Sequence, residues 1–323
     1  MTCSICGKLV PRARPVKARG GETERLFHCP SCDFAFLNTD HTRLIVEDKF
    51  EQARLRTAAL DVPDIKTDFD NGFRQALEYR KEYTGPADRG KRVLEAGCSW
   101  GYFLKALQDA GIKPVGLEIN PVRAGFVRRQ LGIPCHQTLD AVEQDGLRFR
   151  KIFLFYVIQY IKDPVTYGQR LIELLEPGGQ IYIITPNYHD VLNDVWNIKA
   201  YKDFFHEKMT SAYYSVQAAA QLGKIFKRSH GVAFQVTTRQ GYGPLNHLLW
   251  HLDGKPRTTG IVGGDRYALD AAQRLAASAT GLGRELAGLI RAFDRHYREA
   301  IEKRSSGNQI ILTIKRPSSV KHQ

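Results

Sequence analysis

The feature that most constrains the fold is an apolar run that ends in a glycine-containing turn. Residues 93–96 (Val-Leu-Glu-Ala) are typical of a buried strand, and residues 97–101 (Gly-Cys-Ser-Trp-Gly) lead from it into a helical pattern. Glycine lets the backbone approach a ligand where a Cβ would collide. The helix that follows directs free N–H groups at the same ligand. This order predicts a nucleotide-type binding site in an α/β fold.

Short apolar runs continue to alternate with helical stretches beyond this turn. The predicted strands are residues 92–96, 114–119, 152–157 and 180–185, and the helices between them are residues 102–110, 121–131 and 164–175. Strands and helices in this alternation form a parallel sheet with helices on both faces. We expect an amphipathic helix before this unit, at residues 67–83, and two further strands after it, at residues 232–238 and 309–314.

Two acidic residues restrict what the predicted site can bind. Glu95 precedes Gly97 in the spacing Glu-x-Gly-x-x-x-Gly, and Glu118 ends the next apolar run. A dinucleotide site places a pyrophosphate on the helix N-terminus, where a carboxylate beside the turn would repel it. The ammonium and sulfonium of S-adenosylmethionine (SAM) would instead be attracted, and Glu118 could accept hydrogen bonds from ribose hydroxyls. The two carboxylates therefore favour SAM over a dinucleotide.

A third pattern completes a resemblance to a known family. Residues 175–180 (Leu-Glu-Pro-Gly-Gly-Gln) precede the apolar run 181–185, which ends in Pro186 and Asn187. With the glycine turn and the acid after the second strand, residues 91–187 resemble a class I SAM-dependent methyltransferase. The resemblance implies a Rossmann-like sheet with helices on both faces.

The resemblance also implies roles for individual residues. The candidate cofactor-binding residues are Glu95, Gly97, Cys98, Gly101, Glu118, Ile119, Gln137 and Tyr156. Glu95 and the two glycines would hold the methionine part of SAM, Glu118 the ribose and Ile119 a face of the adenine. One departure from the family is Lys151, which stands where an aspartate is usual at the head of strand four.

Four of the six cysteines form a separate pattern near the N-terminus. Cys3-x-x-Cys6 and Cys29-x-x-Cys32 are two knuckles, and four thiolates are a common tetrahedral ligand set for zinc, with bonds of about 2.3 Å. We expect one Zn²⁺ per chain with a structural role, because four thiolates leave no position open for water. The alternative interpretations are a redox dithiol and a chance pattern.

The cysteine module followed by this domain resembles a bacterial group that acts on sugars, surface polysaccharides and secondary metabolites. Residues 205–208 (Phe-His-Glu-Lys) are similar to the Tyr-His-Glu-His of its zinc-bearing sugar C-methyltransferases, but Lys208 replaces the proposed base. We therefore expect O- or N-methylation, for which a base is useful. His206 and Tyr156 are the candidate catalytic residues, with His189 as a further candidate. The alternative roles are hydrogen bonding within the fold for the histidines and pocket lining for Tyr156.

Five segments are predicted along the chain. They are a zinc module at residues 1–37, a helical connector at 38–90, the SAM-binding core at 91–240, an inserted helical cap at 241–306, and the final strand and tail at 307–323. An insertion of this length is typical of a functional lid or cap. Residues 200–323 hold 19 Lys and Arg against 9 Asp and Glu, in a chain of net charge +13. This local excess predicts an anionic partner.

The sequence thus predicts a SAM-dependent methyltransferase for an anionic small molecule or saccharide. A zinc-ribbon RNA methyltransferase and a catalytically silent SAM-binding scaffold are the alternatives. Against RNA, aromatic and basic residues do not interleave in the cysteine module as a stacking platform requires. No apolar run reaches the roughly 18 residues of a membrane span, and no secretion signal precedes the cysteines. A cytoplasmic location is therefore expected; the oligomeric state is left open.

Overall fold

The computed structural model describes residues 1–19, 21–37, 63–207, 210–254, 272–277 and 281–318. Each of the five predicted segments falls partly outside the described residues: the zinc module at residue 20, the connector at 38–62, the core at 208–209 (with Lys208 of the Phe-His-Glu-Lys motif), the cap at 255–271 and 278–280, and the tail from 319. No helix in the described part of the chain is long and apolar enough to cross a membrane.

The described strands form a four-stranded and a seven-stranded sheet. In chain order the strands are β1 (Ala13–Lys17), β2 (Thr23–Cys29), β3 (Phe34–Leu37), β4 (Arg92–Ala96), β5 (Lys113–Leu117), β6 (Cys135–His136), β7 (Phe149–Phe155), β8 (Leu175–Pro186), β9 (Ala212–Tyr213), β10 (Ala233–Arg239) and β11 (Gln309–Lys315). The helices are α1 (Pro63–Tyr83), α2 (Tyr102–Asp109), α3 (Pro121–Gln130), α4 (Leu139–Gln144), α5 (Pro164–Glu173), α6 (Val191–Asp194), α7 (Lys199–Phe205), α8 (Val216–His230), α9 (Pro244–Asp253) and α10 (Gly281–Glu302).

The order of the large sheet, β10-β11-β8-β7-β4-β5-β6, fixes the position of a ligand site. The strands from β8 to β6 are parallel, and β11 is antiparallel to both of its neighbours. From β4 the chain proceeds to β5 and β6 on one side, and then to β7 and β8 on the other. Ligands of open α/β sheets bind outside the carboxyl ends of the strands at such a reversal, which here lies between β4 and β7.

Alternate side chains of the strands point to opposite faces, and helices cover both. Val93 of β4 packs with Ala76 of α1 and Phe103 of α2, whereas its neighbour Leu94 belongs to the core with Leu171 of α5. Successive side chains of a strand point to opposite faces of the sheet. A strand that is buried on both faces therefore needs apolar residues at consecutive positions. The predicted α/β fold with a parallel-rich sheet is confirmed.

The cysteine-containing segment is continuous with the rest of the fold through β9. The small sheet has the order β1-β2-β3-β9, and β9 comes from the segment that follows α7. Tyr214, directly after β9, pairs with Asn187 at the end of β8, and its ring packs against Phe34 at 5.1 Å. The prediction of a separate N-terminal unit did not include this strand, because two residues carry no periodic signal.

The predicted insertion lies between β10 and β11, and its described residues include the helices α9 and α10. A buried network joins them: His247 Nδ1 of α9 lies 2.8 Å from Tyr297 Oη of α10, and the same hydroxyl accepts from Trp196 Nε1 at 3.1 Å. Burial lowers the pKa of His247 to about 4, so this histidine is neutral and serves the packing of the two helices. The boundaries of the predicted domains stay predictions.

Lys151, the departure from the family pattern, forms a buried ion pair. Its ammonium lies 2.8 Å from Asp88 Oδ2 and donates to the Tyr83 carbonyl at 2.7 Å. The side chains of Lys151 and Asp88 are only 12% and 6% exposed. The pair therefore ties the turn after α1 to β7 inside the protein.

We expect Lys151→Met to lower the free energy of unfolding by about 3 kcal/mol, because Asp88 would remain buried without its partner. Urea denaturation measures this change. Lys105→Met is the matched control, since Lys105 pairs with Asp109 on the helix surface and such pairs contribute about 0.5 kcal/mol. Equal effects of the two substitutions would contradict this interpretation.

Candidate cofactor and acceptor sites

The loops after β4, β5 and β7 meet at the predicted ligand site. Gly97 and Gly101 adopt positive φ angles of 74° and 78°, and Gly97 N donates to the Leu117 carbonyl at 2.6 Å. A Cβ on Gly97 would lie 2.3 Å from Cγ2 of Val157, which follows β7. The glycine is therefore required both by its backbone conformation and by the close approach of the next loop.

Glu118 is held in place by the backbone of both neighbouring loops. One carboxylate oxygen accepts from Ser99 N and the other from Asn120 N, each at 2.8 Å. A carboxylate oxygen has two lone pairs, so the hydroxyls of a ribose could still be bound. Asn120 also caps α3, with its side-chain oxygen accepting from Val122 N and Arg123 N. Sequence reasoning missed Asn120, although Asn followed by Pro121 is a typical helix start.

Glu95 is a buried carboxylate with an unused oxygen. The residue is 6% exposed, and Oε2 has no hydrogen-bond partner among the described residues. Burial, and next the charge of Glu118, raise the pKa of Glu95 well above its ordinary value. The side-chain nitrogen of Asn120 is a second buried polar atom without a partner there. Such groups are costly unless a ligand satisfies them, and an ammonium group beside Glu95 would do so. The residues present therefore fit SAM.

The remaining cofactor candidates lie around this site with different exposures. Ile119 is 40% exposed directly after the Glu118 carboxylate, and Gln137 is exposed directly after β6. Cys98 is buried with its sulfur 3.8 Å from that of Cys135, so only its backbone could contact a ligand. A Cβ on Gly116 would lie within about 3 Å of both sulfurs, which explains a glycine inside β5.

Tyr156 follows β7 with a positive φ of 58°, an uncommon conformation for this residue type. Its side chain shares a hydrogen bond with Tyr79, and burial raises the pKa of Tyr156 well above its usual value. The phenol is therefore neutral and can donate a hydrogen bond, but it is a poor proton acceptor at neutral pH. This geometry favours the pocket-lining role over the role of a base.

His206 is a buried, neutral imidazole with one free nitrogen. Its Nδ1 lies 2.8 Å from the Lys202 carbonyl, which places the proton on Nδ1 and a lone pair on Nε2. Nε2 has no partner among the described residues, and the residue is 8% exposed. Burial lowers the pKa of His206 below its usual value. The lone pair on Nε2 is therefore chemically able to accept a proton.

His189 has the opposite environment. Its Nδ1 lies 2.8 Å from Asp194 Oδ2, and its Nε2 lies 3.1 Å from Asp33 Oδ2. Burial opposes the charged form, but the two carboxylates outweigh it and raise the pKa of His189. With both nitrogens bound, His189 is held as an imidazolium and offers no lone pair. The structure thus argues against His189 as a base.

The segment that carries His206 lies at the same edge of the sheet as the cofactor loops. Ser211 N donates to the Gln159 carbonyl at 3.0 Å, in the turn after β7. The His206 ring packs against Tyr213 and Tyr188, with centroids at 5.2 and 6.4 Å. Its carbonyl accepts from Arg19 N at 2.6 Å. The four-cysteine module and the core therefore meet at His206.

The four predicted zinc ligands come together as expected from their spacing. Their sulfurs all lie within 4.8 Å of one another, with Cys3–Cys32 and Cys6–Cys29 each at 3.5 Å. Tetrahedral zinc bonds of about 2.3 Å would place the sulfurs about 3.8 Å apart, so the cluster fits this ion. The hydrogen bond between Cys32 and Cys3, together with burial, raises the pKa of Cys32. A bound cation would stabilise the ionised thiolates that burial disfavours.

Comparison with known proteins supports the predicted class of protein. Residues 70–229 match the family model described as a methyltransferase domain. The matched range contains the glycine turn, both acidic residues and the strand reversal. Residues 70–229 are therefore a methyltransferase domain, and its sheet order and glycine turn are those expected of the class I SAM-dependent fold.

Individual relatives are more distant. A ubiquinone biosynthesis O-methyltransferase of Cereibacter sphaeroides is 27% identical over 119 residues, which is 35% of this chain and 48% of the relative. One of Idiomarina loihiensis is 24% identical over 105 residues, 30% of this chain and 43% of the relative. The chain thus spans about half the length of the curated relatives it matches.

Solved structures give loose global similarity. A SAM-dependent methyltransferase from Archaeoglobus fulgidus has a TM-score of 0.46 at 14% identity, covering 84% of this chain and 100% of that protein. The plantazolicin methyltransferase BamL, solved with S-adenosylhomocysteine, has a TM-score of 0.45 at 16% identity, with 86% and 97% covered. The assignment of the domain rests on the family model and the strand order.

We expect Gly97→Ala to weaken S-adenosylhomocysteine binding by roughly a hundredfold, because the added methyl group would collide with Val157 in a packed loop. Isothermal titration calorimetry measures the affinity. Gly132→Ala is the matched control: Gly132 also has a positive φ, of 66°, but nothing lies within 4 Å of its added Cβ. If Gly97→Ala bound as tightly as Gly132→Ala, the cofactor site would lie elsewhere.

We expect the affinity for S-adenosylhomocysteine to fall as the pH drops through the raised pKa of Glu95. The ammonium group of S-adenosylhomocysteine binds the ionised form of Glu95 and not the protonated form. Below the pKa of Glu95, binding therefore releases a proton, and the affinity changes by up to about tenfold per pH unit. Above that pKa the dependence disappears. Calorimetry across pH should show this slope for the wild type and for the exposed control Glu173→Gln, but not for Glu95→Gln. A slope retained in Glu95→Gln would assign the proton to another group.

Proposed function

We propose that this protein is a SAM-dependent methyltransferase that methylates an oxygen or nitrogen of an anionic small molecule or saccharide. The observation that carries this proposal is the buried Glu95 carboxylate, with its free oxygen behind the glycine turn. A pyrophosphate in that place would be repelled, whereas a cationic amino acid group would satisfy the carboxylate.

Two acidic residues of the chain would hold the cofactor. Glu95 would bind the ammonium group, and Glu118, already oriented by two backbone N–H groups, would bind the ribose hydroxyls. SAM supplies a methyl group on a sulfonium, already activated for transfer. The protein then has mainly to align the acceptor and exclude water. Tyr156 would line the pocket near the methyl group as a neutral hydrogen-bond donor.

His206 would remove the proton that an oxygen or nitrogen acceptor must lose. The hydrogen bond from Nδ1–H to the Lys202 carbonyl fixes the ring. Nε2, which carries the lone pair, is therefore the atom that would receive the proton. The acceptor atom becomes more nucleophilic, and His206 becomes an imidazolium. Positioned general bases of this kind contribute roughly 10² to 10⁴ in rate.

The preference for an anionic acceptor comes from cations of the cysteine module near His206. Arg14 donates to the Tyr188 hydroxyl at 2.7 Å, and its charge helps to lower the pKa of His206 after burial. Arg19 packs over the ring of Phe204 at 3.7 Å. The net positive charge of residues 200–323 also favours an anionic acceptor. The similarity to ubiquinone biosynthesis O-methyltransferases supports methylation of oxygen.

The four cysteines would bind one structural Zn²⁺. The module is joined to the core by β9. Four thiolates would leave no ligand position open on the ion, so the Zn²⁺ would stabilise the module and would not contact the acceptor. The cytoplasmic location and a role in polysaccharide biosynthesis stay predictions.

We expect the purified protein to convert SAM to S-adenosylhomocysteine with at least one member of a panel of nucleotide sugars, sugar acids and hydroxylated aromatic acids. Mass spectrometry of the product would identify the added methyl group. Tight cofactor binding with no turnover on any acceptor would favour a silent scaffold, and turnover only on RNA would favour the RNA-modifying alternative.

With an acceptor in hand, we expect His206→Gln to lower kcat roughly a hundredfold and to leave S-adenosylhomocysteine affinity unchanged. The wild-type kcat should be constant at neutral pH and fall only below about 6.5, the ordinary pKa of histidine, because burial lowers the value for His206. His296→Gln, on the exposed side of α10, is the control. A kcat of His206→Gln equal to that of this control would exclude His206 as the base.

A further inference from the structure

Asp33 links the four-cysteine module to the segment that follows β8. Its Oδ1 lies 2.7 Å from His28 Nε2 within the module, and its Oδ2 lies 3.1 Å from His189 Nε2 in the core. The other nitrogen of His189 contacts Asp194 at 2.8 Å, at the end of α6. Charged and polar groups thus alternate from the module to α6 without a break.

The second cysteine knuckle determines where the Asp33 carboxylate points. Asp33 comes directly after Cys32, and its backbone N donates to the Cys29 carbonyl at 2.8 Å. Its φ of 56° is uncommon for a residue other than glycine. Aspartate tolerates this conformation better than most residues, and the hydrogen bond to Cys29 holds the backbone in it here. A change in the geometry of the knuckle would therefore move the carboxylate away from His189.

The far end of the link is the segment that lines the acceptor side. Tyr188 N donates to the Tyr214 carbonyl at 2.7 Å, and the Tyr188 ring packs against His206. Asp190 is 1% exposed, caps α6 through Asn193 N at 2.8 Å and accepts from Tyr201 Oη at 2.5 Å. His189 lies between these two residues in the chain, so a shift of its backbone would disturb the hydrogen bonds of both.

We propose that Asp33 is a positioning residue through which a metal ion held by the four cysteines orders residues 188–194 beside His206. The metal would fix the knuckle, the knuckle would fix the Asp33 carboxylate, and the carboxylate would hold the His189 imidazolium. The inference rests on the proposed function only in treating this segment as the acceptor side. It gives the cysteine module a role in the site without any contact between metal and acceptor.

Hydrogen exchange of the full chain tests this link without an acceptor. In Asp33→Ala, the peptide that covers residues 187–198 should exchange roughly tenfold faster than in the wild type, because a charged hydrogen bond is lost. Peptides of β4 and β5 should be unchanged, and so should S-adenosylhomocysteine affinity. Asp33→Asn keeps an oxygen that can accept from His189, and its exchange should lie between the two. Asp140→Ala, which removes a surface partner of Arg170, is the control.

Metal removal completes the experiment. Elemental analysis should find one zinc per wild-type chain, and a zinc chelator should accelerate exchange of residues 187–198 as much as Asp33→Ala does. Chelation of Asp33→Ala should add little further, because both changes break the same link. Additive effects, an unchanged 187–198 peptide in Asp33→Ala, or the absence of zinc would each overturn the proposal. Failure of methyl transfer with these exchange results intact would instead contradict only the proposed function.

Discussion

The arrangement of the site depends on two carboxylates that share one small, buried region at the reversal of the sheet. Burial and the charge of Glu118 raise the cost of ionising Glu95, and Glu118 accepts a backbone hydrogen bond on each of its oxygens. A positive charge between the glycine turn and Glu95 would relieve that cost. Close packing explains the glycine at position 97, because the loop after β7 approaches too closely for a side chain there. Charge and close packing therefore select the same class of ligand.

The proposed acceptor side is built by a different part of the chain. The short strand β9 extends the sheet of the cysteine module, and the segment before it carries His206 between the module and the core. Hydrogen bonds give the histidines of this region opposite protonation states: His206 keeps a free lone pair, whereas His189 is clamped by Asp33 and Asp194. Two histidines of similar appearance in the sequence thus differ in chemistry because their neighbours differ.

Much of the fold was predictable because it depends on local periodicity. The strands of the core, the helices between them and the glycine turn follow from patterns within a few residues of one another. Lys151 illustrates the limit: in the sequence it is only a departure from the family, and the structure shows its partner, Asp88, reaching it from the turn after α1. Likewise, the free nitrogen of His206 depends on the Lys202 carbonyl and on burial, which no residue pattern encodes.

The sequence by itself determined the α/β class, the cationic character of the expected cofactor and the four-cysteine cluster. In each case the chemistry resides in residues close together in the chain, as in the Glu-x-Gly spacing and the two Cys-x-x-Cys knuckles. Only the tertiary structure decided that β9 completes the module's sheet, that His206 and not His189 can accept a proton, and that Asp33 meets His189 across 156 positions of sequence. Each of these features needs at least one contact or burial by a distant segment, and it exists only once packing has brought the segments together.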